Sequence, residues 1–133
     1  MAQKITTTGK TIILDRVFNA SPTRTAPSQF KIGTGTTDPS ISDTDLETPV
    51  SIDGHNLKDF VSGYPTINTT SNQSTTRCFL NTLEANGNAL TEFGTFNSDA
   101  SELIFSRSTF TPLNKTSSIE VTIIEKNRVV WWF

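Results

Sequence analysis

Few side chains in this 133-residue chain could carry chemistry: one histidine, His55, one cysteine, Cys78, and the carboxylates Asp38, Asp43, Asp45 and Glu47. A Cys–His pair would supply a thiolate nucleophile, which needs an accessible thiol beside its base. His55 follows "DG" in a loop pattern, whereas Cys78 stands in the apolar run "TTRCFLNTLE", where a free cysteine behaves as a small hydrophobe. One His and one Cys are too few soft ligands for a structural zinc site. The four carboxylates lack the D-x-[DN]-x-[DN]-G spacing of a calcium loop and read as solvated turn residues and helix caps. "GTGTT", from Gly33 to Thr37, has the glycines of a phosphate loop without the Gly-Lys-Ser/Thr that should follow, so it reads as a turn. Asn-x-Ser/Thr triplets at Asn19, Asn68, Asn72 and Asn114 are chance matches in a chain so rich in Ser and Thr. The expectation is a protein without catalytic residues, bound metal or cofactor.

Composition narrows the class. A net charge of −2 and 18% charged residues supply no basic patch for a phosphate backbone, so nucleic acid is not an expected partner. Leu, Ile, Val and Phe make up 34 of 133 residues, above the roughly 20% at which chains stop folding, which predicts one folded domain over 1–133 with a lean core. The 23 threonines favour strands, because a β-branched residue costs little there and offers a hydroxyl to the wet face. "MAQKITTTGK" has no apolar signal core, and no run reaches membrane-spanning length. A protein made in the cytoplasm, without a membrane partner, is expected.

The elements follow from periodicity. In "GKTIILDRVFNASP", Ile13, Leu14, Val17 and Phe18 fall on one helical face and Pro22 stops the pattern, predicting a short helix near Ile12 to Phe18; Ile12 and Ile13 also suit a strand. Gln29 to Ile32 reads as a strand. "SDTDLETPV" offers one helical turn capped by Ser42. Leu57 to Ile67 reads as a strand in which Gly63 and Pro65 suggest a bulge or an edge position. "TTRCFLNTLE" reads as a strand with Phe79 and Leu83 on one face and Cys78 and Leu80 on the other, implying burial on both sides. After the Asn86-Gly87 turn come two strands, Ala89 to Asn97 and Glu102 to Phe110, joined around "NSDAS". Phe93, Gly94, Phe96, Leu103 and Phe105 are the expected framework of this hairpin. Ile119, Val121 and Ile123 alternate with polar residues; "EKN" after them is either a turn or exposed strand. Together these predict a mainly β fold, an antiparallel β-sandwich or barrel-like domain with one short N-terminal helix.

The terminal "RVVWWF" breaks the alternation, since Val130, Trp131, Trp132 and Phe133 are all apolar. Such a segment either belongs to its own core or docks on a neighbour. Polar Glu125 to Arg128 just before it suit a rim, and two-sided burial at this end is easier with a partner. The neighbour is therefore the expectation.

"GKTIILDRVFNASPTRTAPSQFKIGTGTTDPSISDTDLETPV" and "ALTEFGTFNSDASELIFSRSTFTPLNKTSSIEVTIIE" resemble small virion structural proteins of tailed bacteriophages, of the tail-collar and tail-fibre-attachment type. The likeness lies in a GTG turn, a following Leu-x-x-Pro segment, a Glu-x-Gly-x-Phe strand and a strand ending in Arg-x-x-Phe. Its residues are Gly33, Thr34, Gly35, Leu46, Pro49, Glu92, Gly94, Phe96, Arg107 and Phe110. The resemblance implies a non-enzymatic virion subunit partnered by other virion structural proteins and by copies of itself. Fibre proteins usually continue into a shaft or tip, so a chain stopping at Phe133 is expected to be a connector, a collar or baseplate piece, or a capsid decoration protein. A carbohydrate-binding β-sandwich using Tyr64, Trp131 and Trp132 is the alternative from another class.

Overall fold

A computed structural model describes residues 2–130. Among them are eight strands and one helix: β1 (Ala2–Ile5), α1 (Thr7–Phe18), β2 (Pro27–Gly33), β3 (Lys58–Asp59), β4 (Thr66–Asn68), β5 (Gln73–Leu80), β6 (Asn88–Asn97), β7 (Ile104–Lys115) and β8 (Val121–Arg128). They form two antiparallel sheets, one ordered β1-β7-β6-β2-β3 and one ordered β4-β5-β8, in the sandwich-like arrangement that the threonine-rich, alternating sequence predicts. The main core lies between them: Phe30, Ile32, Leu90 and Phe93 from the larger sheet meet Cys78 and Leu80 from the smaller. A second, smaller cluster on the other side of the large sheet joins Phe96 and Ile104 to Leu46. The large sheet is thus covered twice, which is why β6 is buried along most of its length.

The predicted hairpin is β6 and β7, paired from Asn88↔Lys115 to Phe96↔Ile104. Near its turn Thr95 opposes Ser106 while Phe96 opposes Ile104, so Phe105 has no cross-strand partner. This bulge re-aims the strand locally. Phe93 and Phe96 are core residues on opposite faces, and Phe105 is buried at the bulge. Leu103 is only half-buried, and its neighbour Ile104 takes the core position instead. Gly94 is required by close approach, since a Cβ there would meet the Leu46 side chain and the Ser106 carbonyl, each at 2.9 Å.

Several expectations are corrected. The helix exists, but Ile13, Leu14, Val17 and Phe18 do not face the core; they are 39, 58, 65 and 78% exposed. The inward residues are Gly9, Ile12 and Asp15. The N-cap fixes this roll: Thr6 Oγ1 accepts from Gly9 N at 2.9 Å and donates to the Ile104 carbonyl at 3.0 Å, while Thr6 N donates to the Phe105 carbonyl. "SDTDLETPV" forms turns rather than a helical turn, because the Glu47 and Thr48 amides donate to the Glu92 carboxylate far along the chain. The strand expected over Leu57 to Ile67 is split into β3 and β4 by a turn with Gly63 at φ +86°. Leu83 is exposed in a turn, so β5 buries Cys78 and Leu80 but not the other face to the same depth. β8 continues through "EKN", with Glu125 buried rather than on a rim.

Gly9 carries a prediction. Alanine normally favours a helix over glycine by about 1 kcal/mol. A Cβ at Gly9, however, would collide with the Phe105 backbone carbonyl, which belongs to the sheet and cannot swing away. Gly9→Ala is therefore expected to destabilise the fold by about 1–3 kcal/mol in chemical denaturation. A stabilised variant would show that α1 does not seat on the bulge.

Candidate functional site: a trough between the helix and the small sheet

The residues weighed for chemistry are separated by the fold. His55 is exposed in a loop, whereas Cys78 is buried, its thiol pKa pushed up by burial and then by nearby Glu125. The glycines of "GTGTT" face an internal anion: Glu92 Oε1 accepts from Gly35 N at 3.0 Å and from Thr48 N at 2.8 Å. The other Glu92 oxygen accepts from Glu47 N and from Arg107 Nε at 2.8 Å. Arg107, 2% exposed, also donates to Asp43 at 3.1 Å and to the Thr37 carbonyl at 2.9 Å. Asp45 pairs with Lys31 at 3.1 Å. Backbone donation from Thr37 holds the Glu47 carboxyl below the usual carboxylate range. Three of the four clustered acids are thus engaged in binding the 34–48 loop to the large sheet, Asp43 and Glu47 through Arg107 of β7 and Asp45 through Lys31 of β2. Tyr64 packs against the core.

A different place is open. Between α1 and the β4-β5-β8 sheet runs an apolar trough of about 260 Å³ walled by Ile12, Ile13, Val17 and Pro65. It shares Ile13, Ser74, Phe105 and Asn127 with an outer depression of about 710 Å³, which Ile5, Ile67, Val129 and Val130 also line. Phe105 reaches both because it is the bulge residue of β7. Val130, the described member of the expected interface, is 54% exposed at this outer end; Trp131, Trp132 and Phe133 lie outside the described residues.

One carboxylate lines the inner trough. Glu125, 4% exposed, accepts from Ser106 Oγ at 2.7 Å on one oxygen and from Asn127 Nδ2 at 2.8 Å on the other. Ser106 also meets Thr95 Oγ1 at 2.6 Å, and both hydroxyls are sealed from solvent. A carboxylate offers about four acceptor positions, and Ser106, Asn127 and Gln3 occupy three of them. The sequence did contain a signal for Glu125: it continues the inward alternation of Val121 and Ile123 by one step.

Burial raises the Glu125 pKa, and hydrogen bonds from Asn127, Ser106 and Gln3 only partly oppose it. The folded protein therefore holds this proton more tightly than the unfolded chain. Its contribution to stability is full below the ordinary glutamate pKa and falls as pH rises through the folded value. Glu125→Gln is expected to raise the melting temperature of dilute protein at neutral pH, with the gain shrinking as pH drops through the carboxylate range. A gain independent of pH would contradict this titration.

No protein-family model matches the chain, and no curated protein or solved structure matches it.

Proposed function

We propose that this protein is a non-enzymatic structural subunit that acts by protein–protein contact, as a tail-fibre, collar or baseplate component of a tailed-phage virion. The observation that carries the contact reading is the apolar face of α1. Leu14, Val17 and Phe18 stand in solvent beside a trough whose outer end adds Ile67, Val129 and Val130. Scattered exposed apolar residues are ordinary, but a grouped set flanking an apolar trough marks an interaction surface. Covering each such side chain is worth about 1.5–3 kcal/mol, and several together offset the 4–15 kcal/mol cost of association. The virion assignment rests on the resemblance carried by the Glu92-x-Gly94-x-Phe96 and Arg107-x-x-Phe110 strands. Those residues serve as framework: Glu92 and Arg107 tie down the 34–48 loop, and Gly94 admits Leu46.

Size-exclusion chromatography with light scattering tests the contact reading. A defined oligomer is expected, and Leu14→Ser with Phe18→Ser should weaken it without lowering stability by more than about 0.5 kcal/mol, as for other exposed sites. A protein that stays monomeric at every concentration contradicts the reading.

A further inference from the structure

We propose that the open edge of β8 is a second contact surface, on which two copies of this chain pair antiparallel about a two-fold axis at Ile124. The pairing joins their β4-β5-β8 sheets into one continuous sheet. It is separate from the α1 face and goes beyond the contact reading above.

A free strand edge is a row of unpaired N–H and C=O groups, and folded proteins blunt such edges by keeping them short or interrupted. The other edge strands follow that rule: β1 has four residues, β3 two and β4 three. β8 does not. It runs eight residues without Gly or Pro, in unbroken register with β5 from Val121 to Arg128. Val129 N donates to the Asn72 carbonyl, which fixes the phase: odd-numbered residues bond toward β5, while Thr122, Ile124, Lys126 and Arg128 turn their backbone groups to the open side. Among the described residues, none of those four has a backbone partner there. The same residues carry exposed side chains, with Ile124 56% exposed.

Their order is self-complementary when reversed. With Ile124 on the axis, Ile124 meets its own copy, Thr122 opposes Lys126, and Glu120 opposes Arg128 with opposite charge. Every opposed pair then joins outward-facing residues, as the hydrogen bonds require. Lys126, the usual guard of an edge, lies diagonal to the other copy's Glu120. Neighbouring registers fit worse. An axis at Glu125 would set two carboxylates, each 4% exposed, against one another. An axis at Ile123 would place Arg128 opposite Ser118, without an acid. A two-fold pairing of this kind uses both free edges and closes the assembly.

Cysteine cross-linking of the full chain tests the register, with the native Cys78 buried. Opposed residues of a hydrogen-bonded antiparallel pair stand about 5.5 Å apart between Cα atoms, within disulfide reach. Ile124→Cys should therefore cross-link to itself under mild oxidation. Thr122→Cys alone and Lys126→Cys alone should not, since each stands about 13 Å along the strand from its own copy, but a mixture of the two should. Ile124→Lys sets like charges on the axis and should weaken self-association at least about tenfold in light scattering; if that variant fails to fold, the cysteine pattern decides. Ile124→Cys should still cross-link when combined with Leu14→Ser and Phe18→Ser, because the α1 face takes no part. No cross-link at Ile124→Cys, equal cross-linking by Thr122→Cys alone, or a folded Ile124→Lys that assembles as wild type does would each overturn the pairing while the α1 reading stands. Cross-linking at Ile124→Cys in a protein whose assembly Leu14→Ser with Phe18→Ser leaves unchanged would support the pairing and overturn the α1 reading. A wild type that is monomeric at every concentration overturns both.

Discussion

Arg107→Met is expected to cost about 3–5 kcal/mol, because it strips the guanidinium from a buried ion pair and leaves the Glu92 charge without its counter-ion. At this chain length the loss corresponds to a fall in melting temperature on the order of 10–20 °C. The Glu92 carboxylate would keep its bonds from Gly35, Glu47 and Thr48, but three dipoles do not replace a full charge. Arg107→Lys separates charge from geometry. A lysine keeps the charge but cannot span Glu92, Asp43 and the Thr37 carbonyl at once, so only part of the loss should be recovered. If Arg107→Met melts as wild type does, the pair does not bind the 34–48 loop to the sheet.

The second large effect belongs to the hairpin. Phe93→Ala and Phe96→Ala should each cost about 3–5 kcal/mol, since both rings are buried and fill different clusters on opposite faces of the sheet. The two clusters have no core residue in common, so the two losses should be close to additive. Leu103→Ala should cost far less, because Leu103 is half-buried beside the true core residue Ile104. Urea denaturation of the three variants and the double mutant checks the ranking. Equal losses at Phe96 and Leu103 would mean that the hairpin register is wrong.

The hairpin was legible because its strands carry local signals: aromatic and β-branched residues on both sides of a polar turn. The helix was legible as an element but not in its orientation. Periodicity reports that Ile13, Leu14, Val17 and Phe18 share a face, yet it cannot say whether that face meets the chain's own core or a partner. Orientation is set by Thr6 and Gly9 against a bulge about a hundred positions later, and no window of local sequence contains that contact. The 41–49 segment failed for the same reason: its amides are satisfied by Glu92, 44 and 45 positions away in sequence. Glu125 was half-legible, its phase continuing the alternation while its charge argued for solvent. Only the Ser106 and Asn127 partners explain why it is inside.

The central claim, that the open face of α1 and the adjoining trough form a protein contact, is tested most directly by amide hydrogen exchange of the full chain in concentrated and dilute solution. Exchange at the outer end of the trough, over 127–130 and 66–74, should slow several-fold in the concentrated sample, together with the exposed turns of α1. The loop 53–57, which lines neither the trough nor its outer depression, should be unchanged. Identical exchange over the trough and α1 at both concentrations, in a protein shown to be folded, would contradict the account.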